Sequence, residues 1–78
     1  MWWWVEKEEE TEDAAIYKYG VESQEATGKI LLDKTTNDIV RIKLADNDYD
    51  ELYRVFAGLA RWVIPKEGYP QVKSIAIG

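Results

Sequence analysis

DYDELYRVFAGLARWV, residues 48–63, is the stretch whose reading decides the fold. Asp48 is placed to accept hydrogen bonds from the backbone N–H groups of a first helical turn. Glu51, three residues on, is placed to reach back to the N–H of Asp48, which makes a capping box. Leu52, Val55, Phe56, Leu59 and Val63 then recur at helical spacing, with Asp50, Glu51, Arg54 and Arg61 elsewhere on the wheel. The pattern predicts an amphipathic helix of about four turns. Such a helix does not hold its shape alone and needs a sheet to cover.

Outward from the helix, the flanks supply that sheet. Beyond it, Ile64–Pro65 marks a stop, the breakers Gly68 and Pro70 mark a loop, and residues 71–77 read as a short last strand. Before it, residues 29–34 and 39–45 form a hairpin. If Ile30 and Leu32 face the helix together with Val40, Ile42 and Leu44, then Ile30 pairs with Leu44 and Leu32 with Ile42. That register calls for an odd-length loop or a bulge at residues 35–38, with Asn37 or Asp38 near the left-handed region. Residues 14–23 alternate, with Tyr17, Tyr19 and Val21 on one face and Ile16, Lys18 and Gly20 on the other. Tyrosines facing inward require hydroxyl partners near the sheet edge, and Gly20 marks either a bulge or a close approach of another backbone. Residues 2–5 form a further strand, joined to residues 14–23 by an acidic connection. The expected fold is α+β: a single, mostly antiparallel sheet of four to five strands with one helix on one face. The element order is β-β-β-β-α-β, and the whole lies in one domain spanning residues 1–78.

Composition bounds the chemistry. Seventy-eight residues without cysteine exclude disulfide staples and thiolate metal sites and favour a reducing compartment. With no histidine, the usual general base near neutral pH and the commonest metal ligand are both missing. Ser23 and Ser74 have no base to activate them, and paired carboxylates need a desolvating cleft that one helix on one sheet rarely offers. Asp46, Asp48 and Asp50 match the opening of a calcium loop, but its sixth position is Glu51 instead of glycine and its twelfth is Ala57 instead of glutamate. No catalytic residue, cofactor or metal is assigned. The apolar start at Trp2, Trp3, Trp4 and Val5 is cut off by acids too soon for a leader or a membrane span. A soluble cytoplasmic protein is the expectation.

Charge is local. The net charge is −5, and residues 6–13 hold six acids against Lys7, so the remaining nine acids and nine bases cancel. The leading expectation is a non-enzymatic protein-binding module of the inhibitor or immunity type. It docks on a basic partner through an acidic N-terminal loop, with Glu8, Glu9, Glu10, Glu12, Asp13 and Trp3 as contact residues. Trp2 and Trp4 share one strand face and Trp3 the other, so at least one indole sits off the main core. An alternative site is a modestly basic open sheet face carrying Lys18, Lys29, Arg41 and Lys43, suited to nucleic acid, which the acidic balance argues against. A homodimer through the first strand or the helix is the third alternative. On the helix, Trp62 is expected in the core and Arg54 and Arg61 in solvent. Gly58, between Ala57 and Ala60, forms a small-residue patch for close packing on a strand or a second helix, within the chain or across a dimer.

Overall fold

The computed structural model describes residues 1–77. Its elements are β1 (Trp2–Glu10), β2 (Ala14–Val21), β3 (Gly28–Asp33), β4 (Ile39–Lys43), α1 (Asp50–Lys66) and β5 (Val72–Ala76). All neighbouring strands are antiparallel, in the order β4-β3-β2-β1-β5, and α1 covers one face. The α+β fold expected from the sequence is the fold observed. The first four strands form a meander, and the helix carries the chain back so that β5 joins the free edge of β1.

The core lies between that sheet face and the helix. Trp3 and Val5, Ala15, Tyr17, Tyr19 and Val21, Ile30 and Leu32, and Ile75 point inward from the strands. Tyr53, Phe56, Ala57, Ala60 and Ile64 meet them from α1. Phe56 stacks on Tyr19 with ring centroids 4.4 Å apart and lies 5.8 Å from Trp3. The buried tyrosines find their partners at the rim, as their inward pattern requires. Tyr17 donates to the carbonyl of Pro70, and Tyr19 donates to Asp48 Oδ2 at 2.6 Å and accepts from the N–H of Ala45 at 3.1 Å.

The helix differs from its expected frame. Its N-cap is Tyr49 and no side chain caps it, because the Asp48 carboxylate is turned to the Tyr19 hydroxyl and to the N–H of Tyr49. Val55 is exposed, and Tyr53, Ala57, Ala60 and Ile64 complete the buried stripe. The two alanines let α1 approach the sheet, while Gly58 sits on the solvent side, where an added Cβ would meet nothing within 4 Å. Trp62, expected in the core, is 65% exposed under the Lys66 ammonium. Pro65 lies inside the last turn instead of ending the helix before it. The chain passes it by a Schellman closure: Gly68, at φ 77°, donates to Pro65, and Tyr69 donates back to Ile64.

The β3–β4 register is also corrected. The turn closes early, with Asp33 and Asp38 joined and Asn37 at φ 63°, so Ile39 stands in the place expected of Ile42, three residues along the strand. Leu32 therefore faces Ile39 and Ile30 faces Arg41. The irregularity falls at Lys29/Ile30, not in the loop, so Val40 and Ile42 are left outside.

Candidate docking surface

β1 alternates along its first half. Trp3 and Val5 are buried, so Trp2, Trp4 and Glu6 lie on the face away from α1. Register places Ile16, Lys18 and Gly20 beside them from β2, Lys29 and Leu31 from β3, and Val72, Ser74 and Ala76 from β5. Val40 follows from β4, opposite Leu31. Residues 22–27 pass over Gly20 on this face, and no helix or strand covers the rest of it among the described residues. Val40 is 52% and Val72 47% exposed, and Trp2, Trp4, Ile16 and Leu31 are half-buried. Trp4 stands between Gly20 and Ser74 in register, and its indole N–H donates to Glu6 at 2.8 Å. Gly20 is the close approach anticipated from the sequence: the carbonyls of Ser23 and Glu25 lie where its Cβ would be.

The acidic run is not a loop. β1 continues through Glu10, past an irregularity between Lys7 and Glu9, and only residues 11–13 form the turn. Lysines on the sheet make this strand tolerable. Lys29 pairs with Glu8 at 2.9 Å, and Glu10 accepts from both Lys7 and Lys34. Those hydrogen bonds, Lys34 first, hold the Glu10 carboxyl below the ordinary carboxylate range. Lys7 is further tied to the carbonyl of Tyr69 at 2.9 Å, and Lys34 sits over the Tyr69 ring. Glu9, Glu12 and Asp13 form no side-chain ion pair or hydrogen bond among the described residues, so the free acidity is at the tip of the β1–β2 hairpin.

The six residues assigned to the acidic site therefore divide. Glu9, Glu12 and Asp13 remain free and close in sequence at one end of the sheet. Glu8 and Glu10 are internally neutralised. Trp3 is fully buried against Phe56 and belongs to the core. Of the alternative basic patch, Lys18, Lys29 and Lys43 align across adjacent strands on the open face. Arg41 does not join them. It lies on the helix side, 2.7 Å from Asp50 and over the Tyr53 ring, because the early turn puts odd-numbered residues of β4 inward at that point.

With Glu6 opposite Lys18 and Glu8 paired to Lys29, the open face carries both signs and no basic field. What it offers chemically is apolar contact area with two tryptophans at one end and free acids at the other. Sequence reasoning caught the alternation of the three tryptophans, with at least one indole off the core, but chose Trp3 as the surface residue where the structure puts Trp2 and Trp4 there. The chain matches no protein-family model, no curated protein and no solved structure.

Proposed function

We propose that this protein is a non-enzymatic binding module of the cytoplasm that docks a basic protein partner against its open sheet face. The observation that carries this reading is the two groups of large apolar residues on the face opposite the helix, Trp2 and Trp4 at one end and Ile16, Leu31 and Val40 at the other, with the Glu6, Lys18, Lys29 and Lys43 row between them. Large apolar side chains left on a folded surface beside charged ones mark an interaction site, and tryptophan dominates the energetics of such sites. Glu9, Glu12 and Asp13, free of internal partners, steer a basic surface toward that end of the sheet. Neutralising them slows association without touching the contact area. Among the described residues no helix is long and apolar enough to cross a membrane.

The nucleic-acid alternative gains two stacking indoles from the structure but loses Arg41, and Glu8 occupies Lys29. The partner is therefore read as protein.

The test is capture from the source lysate at low and moderate salt with three chains. They are the native chain, Val40→Lys/Val72→Lys on the open face, and Glu9→Gln/Glu12→Gln/Asp13→Asn at the hairpin tip. One basic protein held by the native chain, lost from the lysine variant and weakened by salt and by the tip variant is the expected result. Equal retention by all three refutes the docking face. Recovery of nucleic acid, or of this chain alone at a mass that rises with concentration, replaces the reading with one of the two alternatives.

A further inference from the structure

On the other side of the sheet, where the start of α1 passes the β4 edge, Arg41, Asp50, Tyr53 and Arg54 line an open cavity of about 260 Å³. Its polar inventory is unbalanced. Asp50 is the one acceptor side chain, and its Oδ1 already takes an N–H from Arg41 Nη1 at 2.7 Å. Arg41 keeps most of its five donors, and Arg54 makes no hydrogen bond or ion pair among the described residues. Tyr53 is only 9% exposed, yet its hydroxyl is buried with no partner among the described residues. Leaving a buried hydroxyl unpartnered is costly, and native structures seldom do so without a water or a ligand at hand.

From this excess of donors we infer that the cavity binds a small oxyanion, a carboxylate or a phosphate, between the guanidinium groups of Arg41 and Arg54, with Tyr53 as part of its wall. Guanidinium forks match both groups geometrically, and two of them beside a single carboxylate leave a net positive cavity in an otherwise acidic protein. The volume falls below the range typical of drug-sized ligands, which fits an anion carrying a small organic group. Arg41 is held in place from two sides, by Asp50 and by the Tyr53 ring at 5.2 Å, so that much of the site is ordered before any ligand arrives.

The probes are inorganic phosphate and acetate, titrated separately into the full ¹⁵N-labelled chain at constant ionic strength and followed by backbone and arginine Nε–H resonances. The expected result is saturable shifts confined to Arg41, Asp50, Tyr53 and Arg54, with Kd on the order of 1 mM for the tighter anion. Arg54→Gln, on an exposed and unbonded side chain, weakens that binding roughly tenfold. Arg54→Lys, which keeps the charge but not the planar fork, weakens it several-fold while leaving the unliganded protein as stable, which separates a lost donor geometry from a lost fold. Saturation by phosphate or by acetate names the head group. Shifts from both anions that grow linearly and match those from sodium chloride overturn the inference, as does unchanged affinity in Arg54→Gln. Because the cavity and the open face lie on opposite sides of the sheet, failure of one leaves the other standing.

Discussion

Tyr19→Phe removes one oxygen atom from the most connected side chain of the core. In the native protein that oxygen donates to Asp48 Oδ2 at 2.6 Å and accepts from the N–H of Ala45 at 3.1 Å, within a fully buried residue. Deleting it strands the buried N–H of Ala45, at about 1–3 kcal/mol, and removes a hydrogen bond to a carboxylate, worth about 1.5–3 kcal/mol. Some of the second loss is recovered because Asp48 is only half-buried and water can replace the hydroxyl. The net cost is about 3 kcal/mol, a large share of the roughly 5 kcal/mol or slightly more that a domain of this size holds. For a domain of this length, a loss of about 3 kcal/mol lowers Tm by roughly 12–24 °C. Urea unfolding followed by tryptophan fluorescence measures it, with an unchanged m-value showing that the same surface is exposed. In a double-mutant cycle, Asp48→Asn couples to Tyr19→Phe by about 1 kcal/mol or more. A loss under about 0.5 kcal/mol for Tyr19→Phe, or additivity of the pair, refutes the role given to this hydroxyl and returns Asp48 to a capping role.

Other changes test other parts of the fold. In Gly28→Ala the new Cβ would overlap the Tyr19 ring and crowd the Ala45 backbone, so a loss of about 3 kcal/mol or more is expected in the same unfolding assay. Gly58→Ala adds its methyl to open space on the helix, and a gain of about 1 kcal/mol, read as a higher urea midpoint, is expected. The carboxyls of Glu10, Asp33 and Asp50 are held low by Lys34 and Lys7, by Thr35, and by Arg41 respectively. A carboxyl depressed in the folded state stabilises above its unfolded value. Stability should therefore hold at neutral pH and fall as pH drops from about 4.5 through the lower folded values, and equal urea midpoints at pH 6 and pH 3 would contradict it. Burial raises the hydroxyl pKa of Tyr17 and Tyr19, so stability is also lost as pH rises above their ordinary value of 10.0, which an alkaline unfolding series detects.

What could be read in advance followed the strength of the local pattern. β2 was legible residue by residue, because tyrosines and valine alternating with a lysine and a glycine fit only one facing. The element order was legible because breakers separate each apolar run. The helix frame was not, since Tyr53 buries its ring although its hydroxyl marks it as amphipathic, and alanines carry little hydrophobic weight in a periodic pattern. The acids of β1 concealed a strand because, beside Lys7 on the same strand, their lysine partners Lys29 and Lys34 come from β3 and from the turn after it, a relation no local window contains. Trp3 and Arg41, assigned to surfaces, were misplaced for related reasons: the first by weighing three tryptophans alike, the second by a turn that closes early and shifts the register by an odd number of residues. The anion cavity joins β4 to α1 and had no sequence signature at all.

Pairing the first strand with the last sets the order in which this chain can finish folding. During synthesis β1 and β2 emerge before α1 and β5, so the second edge of β1 stays unpaired until those have followed. Throughout that interval Trp2–Glu6 presents an exposed aromatic template, the kind of edge that recruits other chains. The glutamates of the same strand, repelling a second copy laid alongside in register, protect the nascent chain until Val72–Ala76 arrives.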